Sequence, residues 1–258
     1  MILALDVGNT NIVIGCIEDG KIVCGGRLAT DHKKTMEEYA IHFKMFLEMH
    51  DISPKGFEGA IISSVVPPLT NYLKQAIETI AGVTPLIVGP GIKTGLNIKT
   101  DNPNLLGADL VVDAVAATNE YKTPLIIFDM GTATTCSVID KNQNYLGGMI
   151  FPGVKVAADA LSSHASQLPY ISLEAPKNAI GRNTIDCMKS GVILGNAAMI
   201  DGVIERIEEE LGEKATVIAT GGLSKCIIEH CKQEIIYDDD LLIKGLWILY
   251  CKNTGLNQ

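Results

Sequence analysis

The chain has 258 residues, a formal net charge of −9 and a hydrophobic fraction of 47%. This composition can bury a core, which excludes an intrinsically disordered or collagen-like chain. An acidic chain repels the phosphate backbone of nucleic acids, so we expect no nucleic-acid partner. At this length, one large domain or two smaller ones are expected.

No run of 18 or more apolar residues is present, and the first five residues lack the basic charge of a signal peptide. The seven cysteines form no CxxC pair. Scattered cysteines without an export signal are typical of reduced thiols in the cytosol. We therefore expect a cytoplasmic protein with no membrane partner and no zinc site.

The first half of the chain begins with a short apolar run at residues 2–5, which is typical of a buried strand. It leads into the turn-forming sequence Asp6-Val7-Gly8-Asn9-Thr10. Thr35 and Glu38 have the spacing of a capping box, which predicts a helix beginning after Thr35. A second strand is predicted at residues 12–17, and further helices at residues 69–80 and 109–119.

The second half repeats this beginning. Residues 125–128 form another short apolar run, followed by Asp129-Met130-Gly131-Thr132-Ala133-Thr134 and a predicted strand at residues 136–139. A strand, a glycine turn and a second strand thus occur twice. The duplication predicts an α/β protein of two domains, residues 1–118 and residues 119–258.

The remaining elements of the second half are mostly helical. Asn183 is predicted to cap a long helix, in which Gly191 and Gly195 lie on one side where we expect close packing of another backbone. The three aspartates at residues 238–240 are interpreted as the solvated start of the last helix. The predicted elements are a helix at residues 184–211, a strand at 217–219, a helix ending at His230 and a helix at 241–251.

The glycine turns are the candidate sites for binding a phosphate group. Successive N–H groups in a tight turn form a concavity suited to phosphate. The carboxylate of Asp6 would repel a phosphate unless a cation lay between them, and Mg²⁺ fits that place because it takes carboxylate and phosphate oxygens as ligands. One such motif is equally compatible with an ordinary turn at a strand end. The second copy and a third glycine turn, Thr220-Gly221-Gly222, together predict the binding of a nucleotide polyphosphate.

In their order along the chain, these motifs resemble those of the type III pantothenate kinase family, within the actin-like ATPase and sugar-kinase superfamily. The resemblance implies two duplicated actin-like (ribonuclease H-like) α/β domains with a nucleotide cleft between them. The matching segments are Asp6-Val7-Gly8-Asn9-Thr10-Asn11, Asp101-Asn102-Pro103, Gly107-Ala108-Asp109, Asp129-Met130-Gly131-Thr132-Ala133-Thr134, Gly147-Gly148-Met149-Ile150-Phe151-Pro152-Gly153, Leu168-Pro169, Gly181-Arg182-Asn183-Thr184 and Ser190-Gly191.

The resemblance implies ATP-dependent phosphorylation of pantothenate to 4'-phosphopantothenate, the first step of coenzyme A biosynthesis, by a homodimer whose substrate site lies near the subunit interface. It implies Asp109 as general base, Asp129 at a monovalent cation (K⁺ or NH₄⁺) and Asp6 at the Mg²⁺ that accompanies ATP. The implied ATP-binding residues are Asp6, Val7, Gly8, Asn9, Thr10, Asn11, Ile12, Val13, Gly131, Thr132, Gly221 and Gly222. The implied substrate-binding residues are Thr100, Gly107, Ala108, Asp109, Leu110 and Thr184.

Two positions depart from the family pattern, which usually has arginine where this chain has Leu110 and tyrosine where it has Thr100. An arginine offers a fork of donors to a substrate carboxylate, and leucine offers none. Lys99 or Arg182 could supply that charge instead. The alternatives are therefore a kinase of another small hydroxyl substrate and an inactive nucleotide-binding regulator. Asp109 itself also suits a structural role, because the helix dipole favours acids in a first turn.

Overall fold

The computed structural model describes residues 1–256, which form two compact units. The first unit comprises Met1–Gly95, Asp101–Ala116 and the chain from Asp240 onward. The second comprises Leu96–Thr100 and Ala117–Asp239.

The first unit is built on a five-stranded sheet with the order β3-β2-β1-β4-β5. Strand β1 is antiparallel to β2 and parallel to β4, and all six of its residues are buried. The elements are β1 (Ile2–Val7), β2 (Asn11–Glu18), β3 (Lys21–Ala29), α1 (Met36–Met49), a 3₁₀ turn (Pro54–Gly56), β4 (Gly59–Ser64), α2 (Pro67–Ala81), β5 (Leu86–Ile87), a 3₁₀ turn (Pro103–Leu105), the first part of α3 (Ala108–Glu120) and α7 (Leu241–Thr254).

The two faces of this sheet are covered by different helices. Leu3 and Leu5 point into a core that they share with side chains of α1 and α2. On the opposite face, α7 packs so closely that Ile243 and Tyr250 occupy the space beside Gly15 and Gly59. The sheet is thus buried on both sides, which explains why β1 is a continuous apolar run rather than an alternating one.

The second unit repeats this plan around β7, which is antiparallel to β8 and parallel to β10. Its six-stranded sheet has the order β11-β10-β7-β8-β9-β6. The elements are β6 (Asn97–Ile98), β7 (Leu125–Met130), β8 (Ala133–Ile139), β9 (Asn144–Pro152), α4 (Val154–His164), α5 (Thr184–Leu211), β10 (Thr216–Thr220), α6 (Ser224–Ile228) and β11 (Ile236–Tyr237).

The two predicted helix caps, at Thr35 and Asn183, are confirmed. Thr35 and Glu38 form the capping box, in which each side chain accepts the backbone N–H of the other. The Asn183 side chain accepts the N–H of Asp186 at 2.9 Å, and α5 then runs over residues 184–211 as predicted. Gly212 ends that helix in the left-handed conformation that glycine tolerates best.

Three local predictions were wrong. Helix α6 ends at Ile228, because the His230 amide already bonds Ile227, three residues back, in a tighter turn. Gly191 and Gly195 lie on the exposed side of α5, and a Cβ at either would meet no atom within 4 Å. Asp238 is buried rather than solvated, and the Tyr121 hydroxyl donates to it at 2.7 Å.

The division of the chain also differs from the predicted boundary at residue 118. Apart from Leu96–Thr100, the chain passes from the first unit to the second within α3, after Ala116. It then returns, and α7 belongs to the first unit instead of the second. The physical reason is the packing of α7 on the first sheet, where Gly245 also lies against the Val112 backbone.

Within the described residues, α5 is the one helix whose length and hydropathy match those of a membrane-spanning segment. Its apolar side chains have partners in the second unit, since Val192, Ile193, Ile200 and Ile204 lie in the core of that unit. This burial explains the apolar character of α5 as that of a core helix.

Candidate functional site

The first glycine turn lies at the end of β1. Asp6 is buried, with 8% of its surface exposed, while Asn9, Thr10 and Asn11 are exposed. The Gly8 N–H donates to the Asn11 carbonyl at 3.0 Å and closes the turn. The turn therefore presents polar groups beside a carboxylate that the sheet holds in place.

The neighbouring strand residues predicted to touch ATP have a different environment. The side chains of Val7 and Ile12 lie in the hydrophobic core, and Val13 is partly buried. Val7 and Ile12 can contact a ligand only through their backbone groups. Their side chains serve to fix the strand ends that flank the turn.

The second glycine turn follows β7 with the same connectivity. The Gly131 N–H donates to the Ala133 carbonyl at 3.0 Å, which closes a turn one residue shorter than the first. Thr132 is exposed, and Asp129 is partly buried. The structure thus contains both copies of the motif that the sequence predicted.

Each motif aspartate has a buried hydroxyl residue opposite it in the adjacent parallel strand. Asp6 is paired with Ser63, and Asp129 is paired with Thr220. The Ser63 hydroxyl is fully buried and has no hydrogen-bond partner within residues 1–256. The sequence analysis missed Ser63, because only the pairing of β1 with β4 brings it beside Asp6.

Gly221 lies against the carboxylate of Asp129. Its φ of 94° is in the left-handed region, and a Cβ there would lie 2.5 Å from Asp129 Oδ1 and 2.8 Å from the Met130 backbone. Only glycine leaves this space open. The third glycine turn therefore packs directly against the Asp129 carboxylate, whose oxygens are of the ligand type that hard cations take.

Asp109 lies in the first turn of α3, directly after Gly107 and Ala108. Its Oδ1 accepts the Leu110 N–H at 2.8 Å, and a Cβ at Gly107 would lie 2.5 Å from that oxygen. Burial raises the pKa of the Asp109 carboxyl above its usual range, against the opposing effect of its backbone hydrogen bonds. A raised pKa makes this carboxylate a better proton acceptor.

Thr100 and Thr184, both predicted to bind substrate, belong to the second unit, whereas residues 107–110 belong to the first. The Thr100 hydroxyl is buried and has no hydrogen-bond partner within the described chain. Thr184 begins α5 and lines an open cavity of about 540 Å³. The other lining residues are Ser166, Gln167, Leu168, Pro169, Asn183 and Ile185. The cavity brings together two motifs that are separate in the sequence.

No group of three or more His, Cys, Asp or Glu side chains in residues 1–256 is arranged to bind a metal ion. Mg²⁺ does not need such a cage in a nucleotide site, because it takes one or two carboxylates together with water and substrate phosphates. The buried carboxylate of Asp6 beside an open polar turn fits that requirement.

Comparison with known protein families shows which family this chain belongs to. The sequence profile of type III pantothenate kinases matches residues 2–206. The chain is also 46% identical, over all 258 residues, to a type III pantothenate kinase of Bacillus cytotoxicus, of which it covers 98%. The chain belongs to the type III pantothenate kinase family.

Solved structures that are similar to this chain support the fold assigned to this member of the type III pantothenate kinase family. A Campylobacter jejuni protein called a Baf family transcriptional activator is 21% identical, with a TM-score of 0.58 over 98% of this chain and 100% of that one. A ROK hexokinase of Thermus thermophilus is 10% identical, with a TM-score of 0.51 over 96% and 97% of the two chains. These similarities confirm the predicted α/β class with duplicated halves.

Proposed function

We propose that the protein phosphorylates pantothenate with ATP, giving 4'-phosphopantothenate and ADP in the first step of coenzyme A biosynthesis. The observation that carries this proposal is the environment of Asp109 in a chain of this family. Its carboxyl has a raised pKa and lies at the N-terminus of α3, where Gly107 has no Cβ to occupy the same space.

The reaction joins the primary hydroxyl of pantothenate to the γ-phosphorus of ATP. Asp109 accepts the hydroxyl proton as the new oxygen–phosphorus bond forms, and the bond from γ-phosphorus to ADP breaks. The Leu110 N–H holds Asp109 Oδ1 in a fixed orientation, which leaves Oδ2 to meet the hydroxyl. Most of the remaining catalysis is positioning and neutralisation of charge.

The two glycine turns bind the ATP phosphates in this proposal. The first contributes Asp6, Gly8, Asn9, Thr10 and Asn11 with the backbone of Val7, Ile12 and Val13, and the second contributes Gly131 and Thr132. Gly221 and Gly222 bind the nucleoside. Asp6 binds the Mg²⁺ that accompanies ATP, and Asp129 binds a monovalent cation, K⁺ or NH₄⁺. When bound, these cations neutralise the phosphate charge that the acidic chain otherwise repels.

The substrate site in this proposal contains Thr100, Gly107, Ala108, Leu110 and Thr184. The buried, unpartnered hydroxyl of Thr100 supports it, because such a group is costly until a ligand bonds it. Leu110 offers no donor to the pantothenate carboxylate. That feature favours the second candidate, a kinase of another small hydroxyl substrate.

We further propose a cytoplasmic homodimer with the substrate site near its interface. Strand β9 supports this assembly, because β6 pairs with it only at Asn144 and Tyr145. Beyond those residues, its edge carries the exposed apolar side chains of Leu146, Met149 and Ile150, the last with 76% of its surface exposed. An open strand edge with apolar side chains is typical of an interface.

The test is ADP release from ATP, Mg²⁺ and K⁺, with and without pantothenate, for the unsubstituted protein and Asp109→Asn. We expect pantothenate-dependent turnover that the substitution abolishes. Glu37→Gln is the matched control, since Glu37 is an acid in the first turn of α1. ATP binding without pantothenate-dependent turnover would contradict the proposal, and a panel of other hydroxy acids would then test the second candidate.

A further inference from the structure

Thr30 follows β3 and makes two hydrogen bonds to the first glycine turn. Its backbone N–H donates to the Thr10 carbonyl at 2.9 Å. Its hydroxyl donates to the Gly8 carbonyl at 2.7 Å, across 22 positions of sequence. One residue therefore fixes two carbonyl oxygens of the turn, on either side of Asn9.

The second half has a residue in the equivalent place. Gly153 follows β9 as Thr30 follows β3, and its N–H donates to the Thr132 carbonyl at 3.2 Å. A Cβ on Gly153 would overlap the carbonyl oxygens of Thr132 and Gly131. Its φ of −61° suits any residue, so glycine is needed here for close approach and not for conformation. In both halves, the residue that directly follows the third strand of the repeat thus hydrogen-bonds the glycine turn.

The direction of these carbonyl groups matters for an anion. A carbonyl oxygen that turned toward a phosphate would repel it, whereas N–H groups attract it. The two hydrogen bonds from Thr30 hold the Gly8 carbonyl and the Thr10 carbonyl on Thr30. They fix the turn before any ligand arrives, which lowers the ordering cost of binding.

We propose that Thr30 is a positioning residue for the phosphates of the nucleotide, and that Gly153 is its counterpart at the second turn. This inference rests on the proposed function, because it takes the two turns as the phosphate-binding elements. Thr30 acts through Gly8 and Thr10 and makes no contact with the reacting atoms.

The test compares Thr30→Val, which keeps the shape and removes the hydroxyl, with Thr30→Ser, which keeps the hydroxyl. The control is Thr79→Val, because the Thr79 hydroxyl also donates to a carbonyl, that of Gln75 at 2.8 Å, but on α2. The readouts on the full chain are the Kd of MgADP by calorimetry, the KM values of ATP and pantothenate, and the thermal midpoint.

Loss of one such hydrogen bond corresponds to about a 3- to 10-fold change in affinity. We expect Thr30→Val to raise the Kd of MgADP and the KM of ATP by that factor and to leave the KM of pantothenate unchanged. Thr30→Ser should restore nucleotide affinity, and Thr79→Val should not alter it. A purely structural role would lower the thermal midpoint of Thr30→Val without a selective effect on nucleotide.

Three results would overturn the proposal: unchanged MgADP affinity in Thr30→Val, no rescue by serine, or an equal loss in Thr79→Val. The proposed function fails separately, if the unsubstituted protein binds MgADP but shows no pantothenate-dependent turnover. In that case, the MgADP affinities of Thr30→Val, Thr30→Ser and Thr79→Val still test whether Thr30 positions the nucleotide phosphates. No MgADP binding by the unsubstituted protein would overturn both.

Discussion

Asp6 and Asp129 occupy equivalent positions in two sheets of the same plan, each on a strand with an antiparallel neighbour on one side and a parallel neighbour on the other. Their surroundings differ. Asp6 is buried beside an open turn, whereas Asp129 is partly buried with Gly221 packed against its carboxylate. The two carboxylates thus share a place in the sheet and differ in their burial and in the group packed against them.

Replacement of the monovalent cation tests Asp129. We expect the rate of ADP release to collapse when Na⁺ replaces K⁺ and to recover with NH₄⁺, because Na⁺ is the smaller ion and NH₄⁺ is close to K⁺ in size. Asp129→Asn should lower the rate in K⁺ and flatten the dependence on the cation. The measurement is steady-state ADP release in the three chloride salts at equal ionic strength, and equal rates in all three would refute the cation role.

The acid limb of the pH profile tests Asp109. Because burial raises its pKa, the general base takes up its proton at a higher pH than an ordinary aspartate, whose pKa is about 3.9. We expect kcat/KM for pantothenate to fall as the pH drops, with a midpoint above that value. Asp109→Asn should be inactive over the whole range. A profile that stays flat down to pH values near 4 would argue for a different base.

Stability provides the control for that substitution. A carboxyl whose pKa is higher in the folded state than in the unfolded state destabilises the fold once it ionises, so its contribution falls as the pH rises through this window. Asparagine keeps the acceptor for the Leu110 N–H and carries no charge. We therefore expect Asp109→Asn to be at least as stable as the unsubstituted protein at neutral pH, measured by urea unfolding.

Gly153→Ala tests the close packing behind the second turn. The added methyl group would displace the Gly131 and Thr132 carbonyls, at a cost of about 1–3 kcal/mol. We expect weaker MgADP binding and a lower thermal midpoint. Gly191→Ala is the matched control, because a Cβ there meets no atom within 4 Å and α5 gains a better helix former. Equal MgADP affinity and equal thermal midpoints in the two variants would show that the second turn can move without loss of binding or stability.

Tyr121→Phe tests the hydrogen bond between the end of α3 and Asp238. The phenol donates to a buried carboxylate, and burial together with that carboxylate raises the pKa of Tyr121. We expect a loss of about 1–3 kcal/mol in the free energy of unfolding, measured in urea. Tyr170→Phe, at a residue with 74% of its surface exposed, should change stability little. An unchanged free energy of unfolding in Tyr121→Phe would contradict this expectation and would mean that water takes over the hydrogen bond to Asp238.

The local features of this fold were predictable from the sequence. The repeated Asp-x-Gly motif predicted both strand–turn–strand units, and side chains close to each helix start predicted the caps at Thr35 and Asn183. The missed features depend on contacts between distant residues. Ser63 gains its place from the pairing of β4 with β1, and Thr30 from the direction in which β3 returns to the turn. No short sequence window contains that information.

The return of α7 to the first sheet has a consequence for biosynthesis. Every residue of the second unit precedes Asp240, so that unit has its complete sequence while the ribosome is still making α7. The first unit is begun earlier and finished later, and the face of its sheet that carries Ile2 and Ala4 stays uncovered until α7 emerges. We therefore expect the second unit to complete its folding before the first, the reverse of the usual order in which the N-terminal domain folds first. The first strands of the chain therefore need α7, which is translated after the whole second unit, to cover one face of their sheet.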